Sequence, residues 1–215
     1  MSQPLQALSA ARLYGICDLG YLTRETALPV SRALLEGGAG ILQLRAKGHE
    51  PESLLPLAVE LRKLCVEFGI PFIVNDHLDL ALESEAHGLH LGQDDGSLSE
   101  ARQKLPPGAI IGRSTHSREQ ASHALEEQAD YIGYGPLFPT PTKKGRPAIG
   151  LQSVQQMQAD VGSKIPAFCI GGIKPENLSD VLTAGARRIV VVSHLLTADD
   201  PAGETRQIVA QLPNL

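Results

Sequence analysis

What this 215-residue sequence lacks already narrows the class of protein. No apolar run approaches 18 residues, and the first residues lack the charged-then-apolar layout of a signal peptide. The formal net charge of −5 argues against nucleic-acid binding through general basicity. No Ser/Gly-rich linker or low-complexity segment divides the chain. We therefore predict one cytoplasmic domain over 1–215, with its core at about 13–212, and neither nucleic acid nor a membrane as partner.

Cysteine is also scarce. Cys17, Cys65 and Cys169 are far apart and odd in number, and no CxxC pair is present for a metal or a redox couple. Their apolar surroundings lack the electropositive, exposed setting that activates a thiol. We expect three buried, reduced thiols and no catalytic cysteine.

Short apolar runs alternate with stretches of helical period along the chain. Strands are predicted at 13–17, 41–45, 72–75, 88–91, 110–114, 131–135, 167–170 and 188–193. Helices are predicted at 28–36, 51–68, 77–84, 98–105, 117–128, 151–159, 175–184 and 202–211. Pro51 and Pro175 are placed to open helices, and Ser97 and Ser117 to cap them. Gly37, Gly69 and Gly185 stand where helices should end in a left-handed residue.

Eight βα units without a break in composition favour an α/β fold, a single (β/α)₈ TIM barrel. An open doubly wound sheet is the alternative, but the first strand is not followed by the GxGxxG motif typical of that fold. In a barrel of this kind, ligand-binding groups lie at the carboxyl ends of the strands. We therefore looked for polar residues just after each apolar run.

Strand two ends with alternating polar residues. Gln43, Arg45 and Lys47 share one face, while Leu44 and Ala46 belong to the opposite, apolar face. Two cations and an amide directed into the barrel require an anionic partner, since an unpaired charge is costly there. A bound phosphate or pyrophosphate would supply it. A structural ion-pair cluster with carboxylates of the barrel is the alternative.

Strands three and four end close to carboxylates. Asp76 and Asp95 are one βα unit apart, so they should reach the same rim from strands about 4.8 Å apart. Two carboxylates so close repel each other unless a cation lies between them, and Mg²⁺ is commonly held by carboxylates together with phosphate oxygens. Alternatively, Asp95 caps the helix near Ser97. Asp94 is assigned to solvent or to capping.

Two histidines lie near the strand ends and could be catalytic or structural. His116, at the end of strand five beside Ser114 and Thr115, is either a proton carrier or a structural histidine. His90 lies inside strand four and is interpreted as a core residue.

The last two strand ends and the longest loop complete the rim. The loop 135–146 combines prolines and glycines with threonines and three cations, and is interpreted as a lid over a polyanion. Gly171-Gly172 ends strand seven and Ser193 ends strand eight, the recurrent phosphate site of this fold. The rim thus carries two anion sites, one with cations and a metal pair and one built from backbone, which suits joining two phosphorylated fragments with loss of pyrophosphate.

These motifs, taken in order, resemble those of the thiamine-phosphate synthase family from about residue 13 to 196. The matching segments are Gln43-x-Arg45-x-Lys47, Asn75-Asp76, Gly92-Gln93-Asp94-Asp95, Ser114-x-His116, Gly135-Pro136, Thr140-x-Thr142-Lys143, Gly171-Gly172-Ile173 and Val192-Ser193. The resemblance implies transfer of a hydroxymethylpyrimidine group from its pyrophosphate to a thiazole phosphate, by a dissociative route assisted by Mg²⁺. It also suggests a small homo-oligomer.

The resemblance also implies roles for individual residues. Asp76 and Asp95 would bind Mg²⁺. The residues implied as catalytic would hold the pyrophosphate, and they are Arg45, Lys47, Asn75, Ser114 and Lys143. The remaining implied substrate contacts are Gln43 near the pyrimidine, its neighbours Leu44 and Ala46, and, around the thiazole phosphate, Thr140, Pro141, Thr142, Gly172, Val192 and Ser193.

One departure is visible, because Ala86-His87-Gly88 stands where the family usually has Ala-Asp-Gly. It precedes strand four and lies outside the metal pair. Two other functions stay open: a metal-independent isomerase of the same barrel, similar to a thiazole tautomerase and using His116, and a non-catalytic sensor of the phosphorylated product.

Overall fold

The computed structural model describes residues 3–140 and 147–215, and its strands form a closed parallel barrel. Each strand pairs in parallel with the next along the chain. Strand one also pairs with strand eight, Leu13 opposite Ile189 and Tyr14 opposite Val190, which closes the barrel. The TIM-barrel prediction is confirmed. No helix in the described ranges is long and apolar enough to cross a membrane.

The strands agree with their predicted positions to within one residue, except the last, which ends at Val190 rather than 193 because Ser193 begins a short helix. They are β1 Leu13–Asp18, β2 Ile41–Arg45, β3 Phe72–Asn75, β4 Gly88–Leu91, β5 Ile110–Thr115, β6 Tyr131–Tyr134, β7 Ala167–Cys169 and β8 Arg188–Val190. The helices are α1 Gln3–Ala10, α2 Arg24–Glu36, α3 Pro51–Glu67, α4 Leu78–Glu83, α5 Leu98–Lys104, α6 Arg118–Glu126, α7 Val154–Met157, α8 Pro175–Thr183, α9 Ser193–Leu196 and α10 Pro201–Gln211.

Alternation along the strands divides the apolar residues into two layers. In β1, Leu13 and Cys17 belong to the large core between the barrel and the helices. Tyr14 and Ile16, one position along, belong to a smaller cluster inside the barrel. Every second residue of a strand therefore points to the barrel axis, and Asp18 at the end of β1 follows the inward set.

Helix α1 was not predicted. Leu8 is almost fully buried and belongs, with Ala11, to the cluster inside the barrel. The helix therefore covers the amino end of the barrel. With eight residues the helix is too short to be stable in isolation, so its structure depends on this tertiary contact.

Local signals account for most helix ends, with three corrections. Helix α2 begins at Arg24 rather than 28, because Thr23 caps it and forms a capping box with Thr26. The predicted helix at 151–159 is α7 followed by a π-helical segment, Gln158–Gly162. The left-handed residue after α2 is Gly38, with φ +102°, whereas Gly37 is right-handed at φ −76°.

Candidate functional site

A cavity opens at the carboxyl end of the barrel and contains most of the predicted site residues that are described. The predicted residues that line it are Gln43, Arg45, Asn75, Ser114, Thr140, Gly172, Val192 and Ser193. They come from six different strands or the segments that follow them. Closure of the barrel brings together side chains that are up to 150 positions apart in the chain.

The cations at the carboxyl end of β2 are paired with carboxylates. Arg45 Nη1 donates to Asp18 Oδ2 at 2.7 Å, and Asp18 is almost fully buried. Lys47 Nζ lies 2.8 Å from Asp76 Oδ2. Both Arg45 and Asp18 line the cavity, so the guanidinium is held by one carboxylate at the place where an anion would enter. The ion pairs of the alternative reading are therefore present, and the binding of an anion by these cations stays a prediction.

Asp76 and Asp95 do come together at the rim, as predicted. Asp76 has a left-handed backbone, φ +66°, and its N–H donates to the carbonyl of His90. Burial raises the pKa of the Asp76 carboxyl, and the nearby Asp95 raises it further, whereas Lys47 lowers it. Two carboxylates repelling each other at the rim form a site that a cation would stabilise.

The loop that carries Asp95 is held from below by a buried arginine. Arg113 Nη1 donates to the carbonyls of Gly92 at 2.6 Å and Gly96 at 3.0 Å. Asp95 Oδ2 accepts the N–H of Gly92 at 2.9 Å. Ser97, not Asp95, caps α5. The capping alternative for Asp95 is therefore wrong, and its carboxylate is held at the rim by the loop.

Both histidines line the cavity. His90 is buried, as its interpretation as a core residue requires, and it also lines the cavity: its Nε2 lies 2.9 Å from Ser114 Oγ and its Nδ1 lies 2.9 Å from Tyr131 Oη. His116 Nδ1 donates to the carbonyl of Gly135, which orients the imidazole at the rim.

The opposite wall is made of backbone. The loop after β6 pairs with the loop after β7, since Leu137 N donates to Ile170 O and Phe138 N to Gly171 O. Gly172 has φ +64°, and an added Cβ would lie 2.7 Å from Cβ of Phe138. Glycine is therefore required there on two grounds, conformation and space. Its small size also leaves the backbone accessible to a ligand.

Not all predicted residues line the cavity. Leu44 and Ala46 are buried between barrel and helices, so a ligand would meet only their backbone. Lys47, Asp76 and Asp95 lie at the rim beside the cavity. Pro141, Thr142 and Lys143 fall outside the described residues, as does half of the predicted lid, 141–146.

Three further polar residues of the cavity were not predicted from the sequence: Tyr14, Asp18 and Tyr131. Each follows the inward alternation of its strand, and that pattern could have found them. Tyr14 and Tyr131 lie near the start of their strands, away from the carboxyl ends, whereas Asp18 ends β1 and the rule for strand ends would have identified it.

A closed parallel barrel with ionisable side chains gathered at its carboxyl end is the class of TIM-barrel protein that binds its ligand at that end. The family model described as thiamine monophosphate synthase matches residues 13–195. The chain belongs to this family.

Named relatives agree. A thiamine-phosphate synthase of Thermus thermophilus is 45% identical over 188 residues, 87% of this chain and 90% of the relative. One from Nostoc sp. is 44% identical over 207 residues, 96% of this chain but 57% of the relative. The chain thus spans little more than half the length of some relatives. The thiamine phosphate pyrophosphorylase structure from Pyrococcus furiosus superposes with a TM-score of 0.83 at 33% identity, over 96% of both chains.

Proposed function

We propose that the protein is a thiamine-phosphate synthase. It would condense 4-amino-2-methyl-5-hydroxymethylpyrimidine pyrophosphate with a thiazole phosphate, giving thiamine phosphate and pyrophosphate. The observation that carries the proposal is one cavity with two different walls. Asp18, Arg45 and Asn75 line it from the ends of β1, β2 and β3, and Gly172 and Ser193 line it from the segments that follow β7 and β8.

The first wall suits a leaving pyrophosphate. Arg45 presents a guanidinium at the carboxyl end of β2, and Lys47 presents an ammonium two residues later. Asn75 of β3 and Ser114 of β5 add hydrogen-bonding groups. A pyrophosphate would exchange the ion pairs with Asp18 and Asp76 for charge-assisted hydrogen bonds of its own. We propose that Arg45, Lys47, Asn75, Ser114 and Lys143 neutralise the leaving group.

The carboxylates at the rim fit Mg²⁺. Mg²⁺ prefers oxygen ligands. Asp95 raises the pKa of Asp76, and a bound cation would relieve the repulsion between the two carboxylates. The described residues contain no group of three or more His, Cys, Asp or Glu side chains that could hold a metal. Water and pyrophosphate oxygens would therefore complete the coordination. When bound, the ion would neutralise charge developing on the leaving group.

The second wall suits the other substrate. Gly172 offers backbone close to the cavity, Val192 and Ser193 follow β8 at the start of α9, and Thr140 lines the same cavity from the loop after β6. We propose that these residues, with Pro141 and Thr142, bind the thiazole phosphate. The two substrates would then lie side by side in one cavity.

The residues present suit a dissociative substitution. Nothing in the proposal requires a protein nucleophile, and burial raises the pKa of each cysteine thiol, which disfavours a thiolate. The protein would orient the two substrates, stabilise the departing charge and exclude water. The pyrimidine C–O bond would break first, and the thiazole nitrogen would then trap the cation.

The test is to mix both substrates with Mg²⁺ and follow pyrophosphate release. We expect Asp76→Asn to lower kcat/KM by about 100-fold or more, since it removes charge that holds the metal. Asp79→Asn is the matched control, because Asp79 is exposed in the first turn of α4 and should leave the rate unchanged. Full activity of Asp76→Asn in EDTA would contradict a role for the metal.

An isomerase acting through His116 is the second candidate, favoured by the position of this imidazole in the cavity. It predicts turnover of a single phosphorylated substrate in chelator and loss of that turnover in His116→Ala. A sensor would instead show product binding in calorimetry without turnover of any substrate pair. The single-domain organisation, cytoplasmic location and homo-oligomeric state stay predictions.

A further inference from the structure

Five polar side chains inside the barrel form one continuous hydrogen-bonded chain. Gln43 Nε2 donates to Tyr14 Oη at 2.9 Å, and Tyr14 Oη lies 2.8 Å from Tyr131 Oη. Tyr131 Oη lies 2.9 Å from His90 Nδ1, and His90 Nε2 lies 2.9 Å from Ser114 Oγ. All five are buried and all line the cavity. The chain joins two predicted substrate-binding residues, Gln43 and Ser114, which are 71 positions apart.

The barrel is built around this chain. Tyr14 packs edge-on against Phe168, with ring centroids 5.3 Å apart, and so does Tyr131 at 6.0 Å. A Cβ at Gly112 would lie 2.1 Å from Cζ of Tyr131, so glycine alone leaves room for that ring. The hydroxyl groups therefore have little freedom to turn away from one another.

The order of donors in the chain follows from counting protons. The Gln43 amide nitrogen can only donate, so Tyr14 accepts from it and passes its own proton towards Tyr131. Tyr131 then donates to His90 Nδ1. An imidazole that accepts at Nδ1 carries its proton on Nε2 when neutral, and that N–H donates to Ser114 Oγ. Burial raises the pKa of both Tyr14 and Tyr131, so both phenols keep their protons.

We propose that Tyr14, Tyr131 and His90 are positioning residues. They determine whether Gln43 and Ser114, at the two ends of the hydrogen-bonded chain, present a donor or an acceptor to a substrate. In the order above, Ser114 accepts from His90 and directs its own proton away from it, towards the cavity, as a donor to an anion. At the other end, Gln43 uses its nitrogen on Tyr14 and presents its oxygen as an acceptor for an amino group on a heteroaromatic ring. The assignment of these ligand groups rests on the proposed function.

The two ends are coupled. If Gln43 turned its oxygen to Tyr14, every donor would reverse, and the proton of Ser114 would be directed to His90. Ser114 would then present lone pairs to the incoming anion, which is unfavourable. A substrate that carries both a ring amine and a pyrophosphate selects the first order from both ends. The chain thus favours that combination over either group alone.

The first experiment reads the order directly in the unliganded protein. The ¹⁵N shifts of the His90 imidazole, identified by their loss in His90→Gln, should report a neutral ring protonated on Nε2. Tyr131→Phe should change that tautomer balance. Tyr134→Phe should not, because Tyr134 lies on the same strand but faces the helices, where its hydroxyl contacts Ser153. A wild-type ring protonated on Nδ1 would overturn the proposed order.

The second experiment measures binding of inorganic pyrophosphate with Mg²⁺ by calorimetry. Tyr131→Phe and Ser114→Ala should each weaken binding by about 3- to 10-fold, the effect of one hydrogen bond. The double variant should be no weaker than Ser114→Ala alone, because Tyr131 acts through Ser114. Additive losses, or equal affinity of Tyr131→Phe and Tyr134→Phe, would refute the coupling.

Thermal unfolding establishes that each variant folds. Should Tyr131→Phe fail to fold, Tyr14→Phe breaks the chain one link earlier and takes its place in both experiments. If wild-type protein does not bind pyrophosphate, the proposed function fails at this site, whereas the tautomer measurement still decides the order of the chain.

Discussion

His87 makes the stability of the barrel sensitive to acid at one defined hydrogen bond. The imidazole Nδ1 of His87 accepts the backbone N–H of Phe72 at 2.9 Å, and the backbone N–H of His87 donates to the carbonyl of Phe72. Burial and, to a smaller extent, the charge of Arg62 lower the pKa of His87 to about 4. At the equivalent place before β6, Asp130 Oδ2 accepts the N–H of Ile111 at 2.7 Å. A neutral imidazole thus accepts a backbone N–H of β3, as a carboxylate accepts a backbone N–H of β5.

The sign and size of the effect follow from the two pKa values. The ordinary pKa is 6.5, so between 6.5 and about 4 the unfolded chain binds a proton that the folded chain does not. The stabilisation is complete above pH 6.5 and is lost as the pH falls to about 4. Each unit of difference between the folded and unfolded pKa is worth about 1.4 kcal/mol, so the full loss of stability is about 3 kcal/mol. About 2 kcal/mol of this loss falls between pH 7 and pH 5. His87 is partly exposed, so solvent screening reduces this to about 1 kcal/mol.

The assay is urea unfolding of wild type, His87→Asp and His87→Gln at pH 7 and pH 5. Both variants keep an acceptor at the site but do not titrate in this range. We expect the wild type to lose about 1 kcal/mol more than either variant on acidification. The other histidines are common to all three proteins, so their contributions cancel. An equal pH dependence in all three would refute the reasoning.

Two further predictions concern the inside of the barrel and the rim. Gly112→Ala should lower the free energy of unfolding by about 3 kcal/mol, because its Cβ would overlap the ring of Tyr131. Gly133→Ala, whose Cβ would lie at an ordinary 3.8 Å from its neighbour, should change it by less than about 1 kcal/mol, and equal losses in urea would be inconsistent with overpacking. Arg113→Lys keeps the charge but not the paired donors to the loop at 92–96, so amide exchange there should become faster. Unchanged exchange would show that the loop is held by other contacts.

The rim of the site could be predicted because each of its residues follows a strand whose pattern is local. Arg45 and Asp76 stand directly after apolar runs, and their place depends only on strand position and on the rule that parallel strands present their carboxyl ends to one rim. The helix caps at Ser97 and Ser117 could be predicted for the same reason, since a cap involves residues two or three positions apart.

The inside of the site could not be predicted in this way. Tyr14 and Tyr131 are 117 positions apart, and whether their hydroxyls meet depends on the register of all the strands between them. The ion pair of Asp18 with Arg45 depends likewise on the pairing of β1 with β2. His90 looked like a core residue because its sequence context is apolar, and only its neighbours across the barrel reveal it as part of a polar chain.

The sequence by itself determined the order of strands and helices, the inward and outward faces of each strand and the polar residues at the strand ends. These depend on periodicity and on contacts within a few residues. The tertiary structure decided which inward side chains touch, the burial of α1 and the hydrogen-bonded chain from Gln43 to Ser114. Those contacts exist only after the barrel closes, since closure sets the stagger of every strand against its neighbours.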